Sequence, residues 1–447
     1  MGFKRELGLY DCVILSLGGM VGSAIFVFPG STGRLVGPGA VAAWCLAGVL
    51  MLPIALCYTE LSLAFPETGA PTVFPYETLG PSPSVRAFAS YLEGVGYTVG
   101  WVFGLTISAL AIADYLGQIL PAASGHATLT ALVALGLAAT VNILGINITS
   151  RANLVLAAVL LAVLTVFVAA GAAHFQPRNY DPLITGGPLD FFAAVQIAIT
   201  AYGAWTVIPA TIEEIQDPDR TVPRAIVLSL SIATLLYVSI VAVVYGVVDL
   251  SQFVDGSLAM TAPLGVAVDT IGISWLRYLT AVAAITAIFT TLLVGIMSSS
   301  RVLFALGDNN TLPAVFAKTS DRFRVPWVGV IAVTGVAGAL ATVPRYFSQL
   351  LVIAAVVGTG IPYAINILAF VGLRYYRTDV TPSFRAPGGY VLPSVAFVVL
   401  GIAMFGLGVT ELVWSVGALA LLSGYFLVRV TLHSHVIERP SPRNELR

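Results

Sequence analysis

Two clusters of small residues interrupt long apolar runs: Gly18-Gly19-Met20-Val21-Gly22-Ser23-Ala24-Ile25-Phe26 and Thr200-Ala201-Tyr202-Gly203-Ala204-Trp205. A helix that gives up hydrogen bonds inside a bilayer leaves amides and carbonyls in need of partners. This is tolerated only where the backbone is buried in protein or lines a polar cavity. Gly22 and Ser23 let the backbone come close to a ligand. A half-helix beginning near Ile25 would aim its N-terminal amides and positive dipole end at such a cavity, which suits a carboxylate. At the second cluster, freed carbonyls could take an ammonium group, and Tyr202 and Trp205 could close over a ligand. Each cluster also has a plainer reading. Small residues permit close helix packing, and an aromatic pair can simply pack against its neighbours. Phe28-Pro29-Gly30 follows the first cluster within a turn and favours a true break there. Broken helices in corresponding positions of two halves point to the binding site of a transporter.

The remaining chemistry-bearing residues are few. Glu93 and Asp114 fall nearer the interiors of apolar runs and are candidates to carry a coupling proton. Asp114 is closer to the outer end. Asp11, Glu60, Glu213 and Glu214 fall at run ends, where pairing with loop arginines is expected. His126, His174, His433 and His435 lie in loops or the tail and form no metal cluster. Cys12, Cys45 and Cys57 read as small hydrophobes; their spacing suits neither a metal nor a disulfide framework. No nucleophile–base–orienter set falls in the runs, so an enzyme is not expected.

The elements that must hold these residues are membrane helices. Of 447 residues, 58% are hydrophobic and 10% charged, against roughly a quarter charged in soluble domains. Apolar runs recur near the length of about 20 residues that a spanning helix needs, without the alternating pattern of an outer-membrane barrel. Hydropathy and breaker residues place about twelve spans, at 9–34, 39–65, 86–119, 127–143, 152–173, 190–213, 224–247, 275–306, 327–343, 347–371, 391–408 and 412–432. The loop from Asp249 to Ser274 has room for a short helix. The first run carries Asp11 and glycines and lacks a cleavage pattern, so it does not read as a removable signal. With the N-terminus inside, about 17 of the 21 basic residues fall on one face, which predicts cytoplasmic termini. The breaks lie in spans one and six. An odd offset of five makes them run in opposite senses, as in two inverted five-helix repeats. The expected fold is an all-α membrane protein with a ten-helix core over residues 1–371. Helices eleven and twelve and a cytoplasmic tail occupy 372–447. A net charge of −1 and the lack of basic tracts speak against a nucleic-acid partner.

Four motifs carry a family resemblance. Ile212-Glu213-Glu214-Ile215-Gln216-Asp217-Pro218-Asp219-Arg220-Thr221-Val222-Pro223-Arg224-Ala225-Ile226 is similar to the end of the sixth helix of amino acid–polyamine–organocation (APC) superfamily permeases. Leu9-Tyr10-Asp11 through Gly22-Ser23-Ala24-Ile25-Phe26 resembles their first helix. Tyr58-Thr59-Glu60-Leu61 with Phe65-Pro66-Glu67-Thr68-Gly69-Ala70-Pro71 resembles the stretch after helix two. Ser300-Arg301-Val302-Leu303-Phe304-Ala305-Leu306-Gly307-Asp308-Asn309 with Leu312-Pro313 resembles the end of helix eight. The order is right and the motifs cover roughly residues 9–330. The resemblance implies the five-plus-five inverted-repeat fold, alternating access, and an amino acid or related amine as substrate. Carried over by position, Gly22, Ser23, Ala24 and Ile25 would hold a carboxylate. Carbonyls near Ile199, Thr200 and Gly203 would hold the amine, and Tyr202 and Trp205 would line the pocket.

Three departures from the family pattern stand out. Ala24 replaces a glycine, Thr200 stands where many members have an aromatic gate, and Leu160 occupies the position of a coupling lysine in helix five. Thr290 and Thr291 sit where relatives place hydroxyls near that lysine or an ion. With carbonyls of Gly19 and Gly22 they could complete a sodium site, or they could bond back to their own helix. The expected function is a secondary transporter of amino acids in the plasma membrane. A neutral or small substrate is favoured because no acid sits beside either break. A cationic amino acid or polyamine exchanger is the alternative, and a ligand sensor or channel on the same fold is the rival from another class. No cofactor is expected beyond coupling to H+ or Na+. The partners are the substrate and the lipid bilayer; the sequence leaves the oligomeric state open.

Overall fold

The computed structural model describes residues 7–66, 70–123, 125–145, 150–253, 257, 261–308, 311–320, 322–323, 325–343 and 347–432. Lys4, Arg5, Glu67, Thr68, Gly69, Asn309, His433 and His435 lie outside them, as do the side chains of Arg151 and Glu213. Every regular element among the described residues is a helix; the connections are turns and coil, with one isolated bridge between Leu7 and Ile215.

The chain begins with α1 (Leu9–Met20) and α2 (Ser23–Val36), separated by Val21 and Gly22. Next come α3 (Ala40–Ala64), α4 (Ala70–Thr78), α5 (Pro83–Ile119), α6 (Ala127–Ile143) and α7 (Ser150–Ala173). The second half opens with α8 (Pro188–Ala201), a 3₁₀ turn over Gly203–Thr206 and the short α9 (Val207–Ala210). It continues with α10 (Pro218–Val247), α11 (Pro263–Ile271), α12 (Ser274–Asp308) and α13 (Trp327–Ala341). Then follow α14 (Phe347–Ala355), a π turn over Val356–Gly360, α15 (Ile361–Tyr376), α16 (Val391–Gly406) and α17 (Val409–Leu432).

Each of the twelve apolar segments expected from the sequence coincides largely with helix, and the short α11 lies within the Asp249–Ser274 loop. Among the described residues, six helices are long and apolar enough to cross a membrane, counting Ser23–Ala64 as one. The bent pair Pro188–Ala201 and Gly203–Pro209 makes a seventh. The small helix α4 was not anticipated. Its stretch carries Pro71 and Pro75 and reads as a loop, yet Phe74 is fully buried with its ring 6.0 Å from Tyr58. Burial of that ring outweighs the weak helix propensity of the segment.

Large apolar side chains such as Leu235, Phe405 and Leu421 remain exposed on the outside of the bundle, as helix faces turned to lipid require. Small residues bring the inner helices together. Gly100 on α5 crosses Gly358 of the π turn so closely that a Cβ on Gly100 would lie 2.5 Å from the Gly358 Cα. A Cβ on Gly96 would lie 2.8 Å from the Val357 carbonyl. A π turn leaves helical carbonyls short of their usual donors. Here the Gln196 side chain of α8 donates to the Ala355 carbonyl at 2.7 Å.

One end of the bundle is tied by polar contacts. The Leu7 amide donates to the Glu214 carbonyl at 3.0 Å and the Leu7 carbonyl accepts the Gln216 amide at 2.9 Å, joining the start of α1 to the segment after α9. Glu60 at the end of α3 takes both Nε and Nη2 of Arg374 on α15, at 2.9 and 2.7 Å, and the Ala386 amide at 2.6 Å. The pairing expected of Glu60 is thus made, with a helical arginine rather than a loop one. Asp11 accepts the Gly8 amide at 2.9 Å and caps its own helix. The Arg377 guanidinium holds the Asp379 carboxyl below the usual carboxylate range through a 3.1 Å hydrogen bond.

Candidate binding site

The first break is a two-residue interruption. The Val21 amide still reaches Leu17 and the Gly22 amide folds back on Met20 at 2.7 Å, after which α2 starts afresh at Ser23. The first amides of a helix have no carbonyl one turn back to bond. The Ser23 amide finds Oγ1 of Thr291 on α12 at 3.1 Å. Thr291 reaches that amide because Gly22 has no side chain; a Cβ at Gly22 would overlap the Thr291 hydroxyl.

The second break begins where α8 ends. Tyr202 and Gly203 turn the chain into the 3₁₀ segment, with a bend of 41° between the two flanking pieces. The carbonyls expected to be free here have local donors. Ile199 accepts the Tyr202 amide at 3.1 Å, and Gly203 accepts the Thr206 hydroxyl at 2.9 Å. Tyr237 of α10 closes the back of both breaks. Its hydroxyl donates to the Met20 carbonyl and also faces the Ala201 carbonyl at 3.2 Å.

The two breaks touch. A Cβ on Gly19 would come within 2.9 Å of the Ala204 Cβ. Beside them opens a cavity of about 140 Å³. Gly19, Ser23 and Ala24 line it from the first break, and Thr200, Gly203 and Ala204 from the second. Thr291 lines it too, and so does Glu93, which is buried to 1% exposure.

Other expected site residues lie elsewhere. Gly22 and Ile25 are buried behind the wall. Tyr202 does not line the cavity: it is fully buried and donates to the Trp44 carbonyl at 3.1 Å, its ring 5.0 Å from Tyr237. Trp205 is also fully buried, edge-on to Tyr58 at 5.0 Å and stacked on Tyr363 at 6.1 Å. Both aromatics follow the plainer packing reading: Tyr202 caps the end of α8, Trp205 lies in the 3₁₀ segment, and each packs its ring on aromatics of other helices. Ile199 is buried in the core.

Thr290 bonds back to the Ala287 carbonyl at 2.8 Å and is absent from the lining. Thr291 makes the same back-bond at 3.0 Å while accepting the Ser23 amide. Asp114 hydrogen-bonds with Thr261, away from the cavity. Leu160 is buried in α7, the helix whose Ala157 meets Gly18 of α1.

Of one whole wall, sequence reasoning named only Glu93, and for proton coupling rather than as a neighbour of the breaks. Glu93, Tyr97, Gly100, Trp101, Gly104 and Ser108 form a stripe on α5, at helical spacing over about four turns. Thr359 and Tyr363 face it from the π turn and α15. A signal was present: Gly96, Gly100 and Gly104 recur every four residues, as on close-packed membrane helices.

The family model of amino acid permeases matches residues 7–429. The chain belongs to this family, within the APC superfamily. The permease is 27% identical to the branched-chain amino acid permease BcaP of Bacillus subtilis (strain 168), over 95% of this chain and 93% of that protein. It is also 27% identical to the methylthioribose transporter of the same organism, with the same coverage. A chloroplastic cationic amino acid transporter 9 of Arabidopsis thaliana is 27% identical over 70% of this chain and 57% of its own length. These relatives are transporters and not enzymes. Family and apolar helices together make this permease a multi-pass membrane protein of amino acid transport.

Proposed function

We propose that this permease is a secondary transporter that carries amino acids across the plasma membrane by alternating access. One observation carries the reading: the two interrupted helices meet and line one cavity. In this reading the chain crosses the bilayer twelve times, with two inverted five-helix repeats in residues 1–371. Two further helices and the tail occupy 372–447, and both termini are cytoplasmic. The substrate carboxylate sits at the start of α2, against the amide of Ala24 beside that of Ser23. Its ammonium faces Thr200 and Gly203 of the second break.

With Leu160 in place of a lysine, H+ or Na+ coupling falls to other groups: Glu93 for a proton, Thr291 with the Gly19 carbonyl for sodium. The expectation of a neutral or small substrate rested on the absence of an acid beside the breaks. Glu93 shares their cavity, so that ground no longer holds. The relatives' names support amino acids and include both branched-chain and cationic ones.

Proteoliposomes with purified protein test the reading. Accumulation of a radiolabelled amino acid above its outside concentration, driven by a proton or sodium gradient, is the expected result. Binding without accumulation would favour the sensor or channel reading instead.

A further inference from the structure

Glu93 stands alone in its chemistry. Among the described residues that line the cavity it is the one acid, and no Lys, Arg or His lines it beside Glu93. Its Oε1 accepts a hydrogen bond from Asn366 Nδ2 at 3.0 Å. That nitrogen also lies 2.9 Å from the Tyr58 hydroxyl and 3.2 Å from the Pro362 carbonyl. An amide nitrogen has two protons to give, so three acceptors compete for them. Oε2 of Glu93 has no hydrogen-bond partner, and neither has Oδ1 of Asn366. A buried carboxylate oxygen without a donor is costly unless something supplies one.

The surroundings indicate what kind of donor fits. Tyr58, Tyr97, Trp101 and Tyr363 line the same cavity. Aromatic faces attract organic cations and are poor ligands for a hard metal ion, which takes several oxygens. The position matters as well. Glu93 is at one end of the α5 stripe, about four helical turns from Ser108 at the other. Tyr363 links that end to the second break: its ring lies 6.0 Å from Tyr58, and a Cβ on Gly203 would sit 3.5 Å from its hydroxyl.

We propose that Glu93 is the subsite for the positively charged end of the substrate's side chain, an ammonium or guanidinium group, and that the substrate is a basic amino acid. The proposal rests on the transport reading above and names the substrate class of that same cavity. The main-chain carboxylate and ammonium go to the two breaks. The side chain runs along the aromatic wall, and its terminal N–H groups donate to Oε2 of Glu93.

The test compares ligands of equal length that differ in terminal charge: lysine against norleucine, and arginine against citrulline. Ligand-induced rise in melting temperature and direct binding are measured on the purified full chain. The wild type is expected to prefer each charged ligand by about tenfold to a hundredfold, and Glu93→Gln to lose that preference. Equal or tighter binding of norleucine and citrulline by the wild type overturns the proposal and leaves amino acid transport standing. A Glu93→Gln protein that keeps the preference also overturns it. If no amino acid of any class binds, the transport reading itself fails. Should Glu93→Gln not fold, Glu93→Asp decides. A smaller preference of the same sign supports the subsite, and an unchanged one overturns it.

Discussion

Thr291 on α12 accepts the backbone amide of Ser23 at 3.1 Å, so a side chain from the second half of the chain caps the half-helix that starts in the first. Replacing Thr291 with Val keeps the shape and removes the acceptor, leaving a half-buried N–H unpaired at a cost of about 1 kcal/mol. Thr291→Val is expected to lower melting temperature and weaken substrate uptake. Thr290→Val loses only a back-bond to Ala287 and is expected to change uptake little. Uptake kinetics on both variants check the contrast.

Gly22 tests the same contact from the other side. A Cβ there overlaps the Thr291 hydroxyl, so Gly22→Ala is expected to destabilise by about 1–3 kcal/mol through overpacking. Thr291→Ala removes the overlapping oxygen. In the double variant the two effects are expected to be less than additive, with a coupling of about 0.5–3 kcal/mol in thermal or chemical unfolding. Additive losses would disprove the contact. Gly22→Leu is expected to abolish uptake in protein that still reaches the membrane; undiminished transport would remove the first break from the site.

Gly104 and Gly100 should separate cavity from packing. Both line the cavity, but a Cβ on Gly104 meets nothing within 4 Å, whereas one on Gly100 meets the Gly358 backbone. Gly104→Ala is expected to leave stability unchanged or to raise it by up to about 1 kcal/mol, while raising KM more for bulky substrates than for small ones. Gly100→Ala is expected to destabilise the fold by about 1–3 kcal/mol. Melting curves with competition by substrates of graded size distinguish the two.

Breaking the Glu60–Arg374 pair should be costly. Glu60 is nearly fully buried and takes two guanidinium hydrogen bonds and one amide. Glu60→Gln leaves Arg374 without its counter-charge, and removing one partner of a buried pair costs about 3–5 kcal/mol. The expected readout is a large fall in melting temperature. Loss of transport in that variant should follow loss of folded protein.

Asp379 is exposed, and Arg377 holds its carboxyl below the usual range. A depressed folded value contributes stability above the unfolded carboxylate range and loses it as pH falls through the folded value. Melting temperatures of wild type and Asp379→Asn should therefore differ slightly near neutral pH and converge in acid. A difference that grows as pH falls would contradict the pairing.

Much of the fold was legible in residue order alone. Twelve apolar segments, each set off by glycine, proline or charge, became helices close to where hydropathy put them. That follows because a bilayer leaves the backbone little choice but to satisfy its hydrogen bonds within each segment. The interruptions at Gly22 and Gly203 were legible for the same reason: small residues inside an apolar run are conspicuous. Tyr202 and Trp205 were misread because residue type does not reveal which way a side chain points at a helix break. Glu93 was seen as a buried acid but not as a neighbour of the breaks, since α5 is far from both α1 and α8 in the sequence.

The sequence by itself determined that this is a bundle of apolar helices with two weak points, because hydrogen bonding in lipid is a local requirement. Only the tertiary structure decided that Gly19 and Ala204 touch, that Thr291 caps Ser23, that Tyr237 closes the back of both breaks, and that Glu93 opens into the cavity beside them. Those relations join residues up to 268 positions apart. They depend on which helix faces meet, and that is set by packing small residues against large ones across the whole bundle.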